Sequence, residues 1–163
     1  MKKYVWIILL MSGAMQAQVF SGKGDLKFQM GGNFQEHGSG IISSLDYGLG
    51  SNMSIGFSAS YILGVTKIAG EKPDFDDRMD AKIRFNANIA DVFNIEEKMD
   101  IYPGLNIGTR NFGGHLGARY FFTKGFGIYS EMQFPIAKYE TDPIGFENYN
   151  NQFNFSIGAS FNL

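Results

Sequence analysis

The segment QFNFSIGASFNL at 152–163 alternates strictly between polar and apolar side chains. Apolar residues occupy every second position from Phe153 to Leu163, while Gln, Asn, Ser and Gly fill the positions between them. Such alternation places the two classes of side chain on opposite faces of a β-strand. The segment therefore predicts an amphipathic strand, and a fold that contains it must protect the strand's edges from unwanted pairing.

The same alternation recurs along the chain and predicts eight strands. The high contents of glycine (21) and phenylalanine (16) agree with this, because glycine disfavours long helices and aromatic residues suit strands. Pro103 should weaken the fifth strand by removing a ladder hydrogen bond. No segment predicts a long helix, although 91–98 is compatible with one helical turn. The predicted strands are 25–35, 41–49, 53–65, 79–90, 99–109, 115–122, 126–138 and 152–163.

Two short turns predict the register of two hairpins. Folding at the GSN turn pairs Tyr47 with Ile55, and folding at the TKG turn pairs Tyr120 with Ile128. Apolar side chains meet apolar side chains in both hairpins, as one shared face requires.

The N-terminus has the layout of a secretory signal peptide. Two lysines precede the apolar run YVWIILLM, and the small and polar stretch SGAMQAQ follows it. The run is too short for a spanning helix, which needs roughly 20 apolar residues. We predict a signal peptide over 1–17 and a single domain over 18–163, with a retained membrane anchor as the alternative.

Composition narrows the possible functions. The net charge of −2 gives no electrostatic basis for binding nucleic acid. The absence of cysteine excludes disulfides, a lipid-anchoring cysteine and thiolate metal sites. We therefore predict no nucleic-acid partner, no metal and no cofactor.

The alternation does not by itself decide which face of the sheet meets water. A soluble sandwich turns its apolar face inward, whereas a membrane barrel turns it outward. The polar face here is rich in Gly, Ser and Asn, which suit the crowded inside of a narrow barrel. Its charges are balanced, as burial requires, and Glu131 is predicted to pair with Arg119 diagonally. The predicted interior charges are Asp25, Lys27, Asp46, Asp80, Lys82, Arg84, Asp100, Arg119 and Glu131.

The strand count also favours a barrel. With eight strands both ends of the domain lie on the same side, and pairing of the last strand with the first removes the open edge. Aromatic residues cluster near the strand ends, as in the girdles of membrane barrels. The cluster at one end is Phe28, Tyr47, Tyr120, Phe122, Phe126 and Phe161, and that at the other is Phe34, Tyr61, Phe134 and Phe153.

An export signal, eight amphipathic strands, inward charges and the closing FNFSIGASFNL resemble the small outer-membrane β-barrel family of Gram-negative bacteria, which includes outer-membrane protein X and the barrel of outer-membrane protein A. The resemblance implies an all-β, eight-stranded antiparallel up-and-down transmembrane barrel in the cell outer membrane. It also implies contact with outer-membrane lipids and recognition of the last strand by the barrel-assembly machinery. In that family the chain commonly ends in an aromatic residue, whereas here Leu163 is last and Phe161 lies two residues earlier.

From this resemblance we expect a monomeric, non-enzymatic protein with a structural, adhesive or envelope-related role. A narrow barrel is filled by its own side chains, so we expect no open pore. Three alternatives stay open: a small-solute channel, a lipid-modifying outer-membrane enzyme, and a soluble secreted β-barrel or sandwich that binds a ligand. The enzyme alternative depends on the fragment HGS at His37–Ser39, which resembles the His-x-Ser of an outer-membrane lipid A deacylase. His115 is a possible metal ligand, but no second histidine is predicted beside it.

The predicted outer loops are 36–40, 66–78, 110–114 and 139–151. The two longer loops are acidic and aromatic, and we expect them to be solvated, with a cation or partner site as the alternative. Their acidic and aromatic residues are Glu71, Asp74, Phe75, Asp76 and Asp77, then Tyr139, Glu140, Asp142, Phe146, Glu147 and Tyr149.

Overall fold

The fold comes from a computed structural model, and the structure describes residues 19–65, 73–90, 97–139 and 148–163. Every strand pairs antiparallel with its sequence neighbours, and the last strand pairs with the first, so the sheet closes into an eight-stranded barrel. This confirms the predicted all-β, eight-stranded antiparallel up-and-down barrel. The signal peptide predicted at 1–17 lies outside the described residues. The strands are β1 (Leu26–Gln35), β2 (Gly38–Gly48), β3 (Met53–Val65), β4 (Met79–Ala87), β5 (Met99–Gly108), β6 (Asn111–Phe121), β7 (Phe126–Lys138) and β8 (Asn154–Asn162).

The described part of the chain contains one short helix, α1 (Phe75–Arg78), which precedes β4. No helix within the described residues is long and apolar enough to cross a membrane. Most of the helical turn considered at 91–98 falls outside these residues.

The two predicted hairpin registers are confirmed. Tyr47 lies opposite Ile55 in the β2–β3 ladder, and Tyr120 lies opposite Ile128 in the β6–β7 ladder. Strands β3 and β7 also have the predicted bounds.

Two predicted loops are wrong in extent, because β2 and β6 begin earlier than expected. The loop predicted at 36–40 is a tight turn at Glu36 and His37, where His37 has a φ of 60°. The loop predicted at 110–114 is equally short, since β6 begins at Asn111. Glycines in GSG and NFGG hide the alternation in the sequence, yet their backbones pair within the ladders, each of which has a β-bulge nearby.

Pro103 limits one ladder, as predicted. The β4–β5 register runs only from the pair Lys82–Gly108 to the pair Asn86–Gly104 and stops next to the proline. Proline has no N–H to donate to the ladder. Beyond this gap the backbone N–H of Ile89 bonds the carbonyl of Ile101 at 3.0 Å.

The barrel has apolar side chains outside and polar side chains inside. Phe57 and Ile83 on the outer surface are 53% and 57% exposed, whereas Lys27 and Arg119 in the interior are each 1% exposed. This is the reverse of a soluble protein, in which apolar side chains are those removed from water.

The two ends of the barrel differ in what covers them. We call the end with the Glu36–His37 turn and α1 the loop rim, and the end with residues 19–25 and Leu163 the terminal rim. Val19 and Phe20 are buried at the terminal rim, and the N–H of Val19 donates to the carbonyl of Glu97 at 3.3 Å. The segment 19–25 therefore covers this end of the interior.

Aromatic rings form a continuous chain on the terminal rim. Neighbouring ring centroids along the chain lie 5.5 to 6.2 Å apart. At the loop rim Tyr61 packs against Phe75 of α1 with a centroid distance of 5.1 Å. The members of the chain on the terminal rim are Phe28, Phe161, Phe126, Phe122 and Tyr120.

The seam between β1 and β8 is narrow at its middle. Gly31 lies opposite Gly158 in this ladder. A methyl group on Gly31 would overlap the backbone of Ile157, and one on Gly158 would overlap the backbone of Met30. Only glycine fits this approach of the two strands.

Candidate functional site

A cluster of buried charged side chains lies at the centre of the interior, around Arg84 of β4. Its guanidinium donates to both carboxylate oxygens of Glu131 on β7, at 3.2 and 2.6 Å. Its Nε also lies 3.2 Å from Oδ1 of Asp46 on β2. The paired nitrogens and oxygens form the bidentate geometry that makes arginine–carboxylate pairs strong. Arg84 therefore connects three strands across the lumen.

Arg119 of β6 forms the second half of the cluster. Its Nε and one terminal nitrogen donate to Oδ2 of Asp100 at 3.0 and 2.8 Å. Its other terminal nitrogen lies 3.7 Å from Oδ2 of Asp46, so Asp46 stands between the two arginines. The predicted Arg119–Glu131 pair is wrong. The two residues are diagonal in the β6–β7 register, but Glu131 contacts Arg84 on the far wall.

Tyr102 fills the space beside the two arginines and is fully buried. Its ring centroid lies 4.6 Å from Cζ of Arg119 and 5.7 Å from Cζ of Arg84, within cation–π range. Its hydroxyl accepts a hydrogen bond from Nε2 of Gln29 at 3.2 Å. A methyl group on Gly117 would overlap the tyrosine ring, so a glycine opposite leaves room for it.

The two lysines lie toward the ends of the lumen. Lys82, nearer the loop rim, lies 3.4 Å from Asp80 and donates to Gln133 at 3.1 Å. Lys27, nearer the terminal rim, contacts Asp25 and donates to Asn162 at 3.0 Å. Each lysine thus pairs with a carboxylate two residues earlier in its own segment.

Neutral polar side chains complete the network. His115 donates from Nε2 to Asn86 at 2.7 Å and accepts at Nδ1 from Asn106 at 3.2 Å. Gln133 donates to Glu131 at 2.8 Å. Both ring nitrogens of His115 are therefore engaged by amides. Among the described residues, no group of three or more His, Cys, Asp or Glu is arranged to hold a metal ion.

All nine charged residues that the sequence assigned to the interior are buried there. Four of them meet at the centre of the lumen, namely Asp46, Arg84, Arg119 and Glu131. Asp100 forms an ion pair with Arg119, and one lysine–aspartate pair lies toward each end of the lumen. The sequence reasoning missed Tyr102 and the hydrogen-bonding amides, and it considered His115 only as a metal ligand and not as a member of this network. Their signal was their position: each occupies an inward position of its strand, beside the charged residues.

The centre of the lumen is packed. The side chains of Asp46, Arg84, Tyr102, Arg119 and Glu131 are almost inaccessible to water. Such a network is able to brace opposite walls of the barrel, because Arg84 is hydrogen-bonded to Glu131 and Arg119 to Asp100. Asp46 contacts both arginines as an ion pair, and its carboxylate oxygens accept no hydrogen bond from the described residues.

Comparison with known proteins gives a family without an assigned activity. Residues 10–163 match the Family of unknown function (DUF6646). The chain belongs to this family. No curated protein matches the sequence.

A solved structure shares the fold of this DUF6646 member. It is the crystal structure of the N-terminal β-barrel domain of Pseudomonas aeruginosa OprF, with a TM-score of 0.58 and 10% sequence identity. The superposition covers 88% of this chain and 100% of that one. At this identity the likeness establishes the β-barrel fold alone.

The HGS fragment lies outside the interior cluster. His37 occupies the turn before β2 and is 71% exposed at its side chain, with Nε2 3.5 Å from the equally exposed Glu36 carboxylate. Ser39 lies within β2, and the prediction of a loop is wrong for this residue.

The acidic loop before β4 is partly neutralised. Arg110 donates to the carbonyl of Asp76 and lies 3.9 Å from the carboxylate of Asp77. Asp77 also accepts a hydrogen bond from the backbone of Asp74 at 3.0 Å. The other acidic residues considered for a cation site, Glu71, Glu140, Asp142 and Glu147, lie outside the described residues, as does Phe146.

Proposed function

We propose that this chain is a monomeric integral outer-membrane β-barrel with a structural, adhesive or envelope-related role, a filled polar interior and no open pore. The observation that carries the proposal is the reversed polarity of the barrel: large apolar side chains cover the outside while charged ones are buried inside. Hydrocarbon lipid is the surrounding in which this distribution is favourable.

The energetic argument rests on the outer band of side chains. Members of the band that are about half exposed occur on β2, β3, β4, β5 and β8. Removing the exposed half of each side chain from water is worth about 0.8–1.5 kcal/mol, whereas a patch of this extent in water favours aggregation. Because the strands close into a ring, the sheet that the structure describes also has no edge strand whose backbone groups would be left unpaired. Examples of the band are Ile41, Phe57, Ile83, Leu105 and Ile157.

Two partners follow from the proposal. Outer-membrane lipids would contact the apolar band, and the barrel-assembly machinery would recognise β8, the strand that closes the ring against β1. Export through a cleaved signal peptide at 1–17 is part of the same proposal.

Cell fractionation combined with gel migration tests the location. We expect the protein to stay with the outer membrane and to shift its mobility on boiling, because a folded barrel resists cold detergent. Extraction without detergent, with no heat-dependent shift, would favour the soluble alternative. Lipid-soluble photolabels should mark Phe57, Phe85 and Phe155, while bulky aqueous reagents should leave Lys82 and Arg84 unmodified.

The absence of a pore has its own test. Planar bilayers containing the purified protein should show no steady conductance, because the charged centre is packed. Conductance that changes in Arg84→Ala would establish the small-solute channel.

The absence of enzymatic activity is tested on lipid substrates. Incubation with lipid A or phospholipid should release no acyl chain, since His37 and Glu36 are exposed in a turn. Hydrolysis that disappears in His37→Ala would overturn this part of the proposal.

A further inference from the structure

A groove interrupts the outer apolar surface of the barrel near the loop rim. It crosses β1, β2 and β3 and has a volume of about 590 Å³, in the range of small-molecule sites. Its floor includes Gly32, which has no side chain, and the small residues Ser43 and Ala59, so the wall is depressed there. Ser43 lies directly opposite Ala59 in the β2–β3 ladder, so two small residues adjoin at this point.

Larger side chains border this floor. Ile41 and Tyr61 are paired across β2 and β3, and Tyr61 is paired with Met79 of β4, which gives a continuous wall on the loop-rim side. Phe75 of α1 packs on Tyr61 and lines the same groove. The lining is thus almost entirely apolar.

A positive charge stands at the edge of this wall. Cζ of Arg78 lies 4.9 Å from the centroid of the Tyr61 ring. Arg78 is the last residue of α1, at the loop rim, so its guanidinium is placed where the apolar band ends. A guanidinium presents a planar fork of donors that matches the oxygens of a phosphate.

An apolar groove that ends beside a guanidinium fits an amphiphile with an acyl chain and an anionic head. We propose that the groove holds one acyl chain of lipid A, the phosphorylated lipid of the outer leaflet, and that Arg78 binds its phosphate. The inference rests on the proposed function and on the predicted outer loops 36–40 and 66–78, which would place the loop rim at the outer leaflet. The positive charge at the rim favours an anionic lipid over a second copy of the chain, since a copy docked across a two-fold axis would present its own Arg78 to the same site. Lipid A is the anionic lipid that this position in the outer leaflet would offer.

The opposite wall of the barrel offers a matched control. A smaller depression there has a volume of about 210 Å³, and its lining includes Leu116, Ala118, Met132 and Glu131. Ala118 and Ala59 are small residues at half-exposed positions of β6 and β3. Replacing either by phenylalanine adds the same side chain to the outer surface.

The test uses full-length mature protein, purified in mild detergent and mixed with bis-phosphorylated lipid A, dephosphorylated lipid A or phosphatidylglycerol, with bound lipid counted by native mass spectrometry. We expect wild type to retain one bis-phosphorylated lipid A per barrel. Ala59→Phe should retain at least tenfold less, and Ala118→Phe should equal wild type. Arg78→Gln should lose the preference for the phosphorylated form while still binding the acyl chain.

Three results would overturn the inference. They are no retained lipid A on wild type, equal losses in Ala59→Phe and Ala118→Phe, and equal retention of phosphatidylglycerol and lipid A. A dimer that Ala59→Phe dissolves would assign the groove to a second copy. The heat-dependent gel shift is recorded for every variant, because an intact shift with no lipid bound rejects the groove and leaves the proposed outer-membrane location standing.

Discussion

The arginines and the lysines of the interior are paired in different ways. Arg84 and Arg119 reach carboxylates on other strands, and both approach Asp46 on β2. Lys27 and Lys82 pair with carboxylates two residues earlier in sequence. The centre of the barrel is therefore braced across the lumen, while the ends are neutralised locally.

The chemistry of the two side chains explains the difference. A guanidinium has five donors in a plane and bonds several carboxylates at once, whereas an ammonium is a compact point charge on a flexible stem. The lysine partners also have other donors. Asp25 accepts from the backbone and hydroxyl of Ser21, at 2.5 and 2.9 Å, and Asp80 accepts from Thr109 at 2.8 Å. Loss of a lysine should therefore cost less than loss of a central partner.

The largest effect is expected for Glu131→Leu. It leaves Arg84 buried with Asp46 as its remaining carboxylate, and breaking a buried pair in this way costs about 3–5 kcal/mol. The double variant Arg84→Met with Glu131→Leu removes both charges and should lie much closer to wild type. Urea unfolding in lipid vesicles measures the free energy of unfolding of all three proteins. Equal losses in the single and double variants would contradict cross-lumen bracing.

Arg84→Lys should have the next largest effect. The charge is kept, but the second of the two parallel bonds to Glu131 is lost, at a cost of about 2 kcal/mol. Lys82→Arg is the matched exchange at the local pair, and it should change the free energy of unfolding by less. The comparison fails if Lys82→Arg is the more damaging of the two in the same urea titration.

Lys27→Met should cost about 1 kcal/mol, because Asp25 keeps the two donors of Ser21 while one charge-assisted bond is lost. Methionine also retains the apolar packing of the lysine stem. Chemical unfolding followed by far-UV circular dichroism measures this change in the free energy of unfolding. A loss as large as that of Glu131→Leu would show that the local pair is as important as the central one.

Tyr102→Phe should have the smallest effect, of about 0.5–1 kcal/mol. The ring still faces both arginines, and only the bond between the hydroxyl and Gln29 disappears. Tyr102→Leu is the control that also removes the ring and its cation–π contacts, so it should be clearly worse. Identical unfolding curves for the two variants would show that the contacts of the ring with the two arginines contribute nothing to stability.

The faces of the strands could be predicted because side-chain direction in a strand depends only on the period of two. This is why Lys82 and Arg84 were assigned to the interior from the sequence. Hairpin registers such as Tyr47–Ile55 followed from short turns, which leave few ways to pair the strands.

The partners across the lumen could not be predicted in the same way. Whether Arg84 or Arg119 meets Glu131 depends on strand tilt and stagger around the closed ring, and no local pattern in the sequence encodes them. The early starts of β2 and β6 were missed for another reason: glycine has no side chain with which to show which face it occupies. The groove on the outer surface could not be predicted either, since its lining combines residues of the four strands β1 to β4 with Phe75 of α1.

The glycine contact between Gly31 and Gly158 has a consequence for how the ring closes. At that point neither strand carries a side chain, so the two backbones meet without side chains that must pass one another. Closure of the barrel at this point is then an alignment of two backbones, because a side chain at either position would overlap the opposite strand.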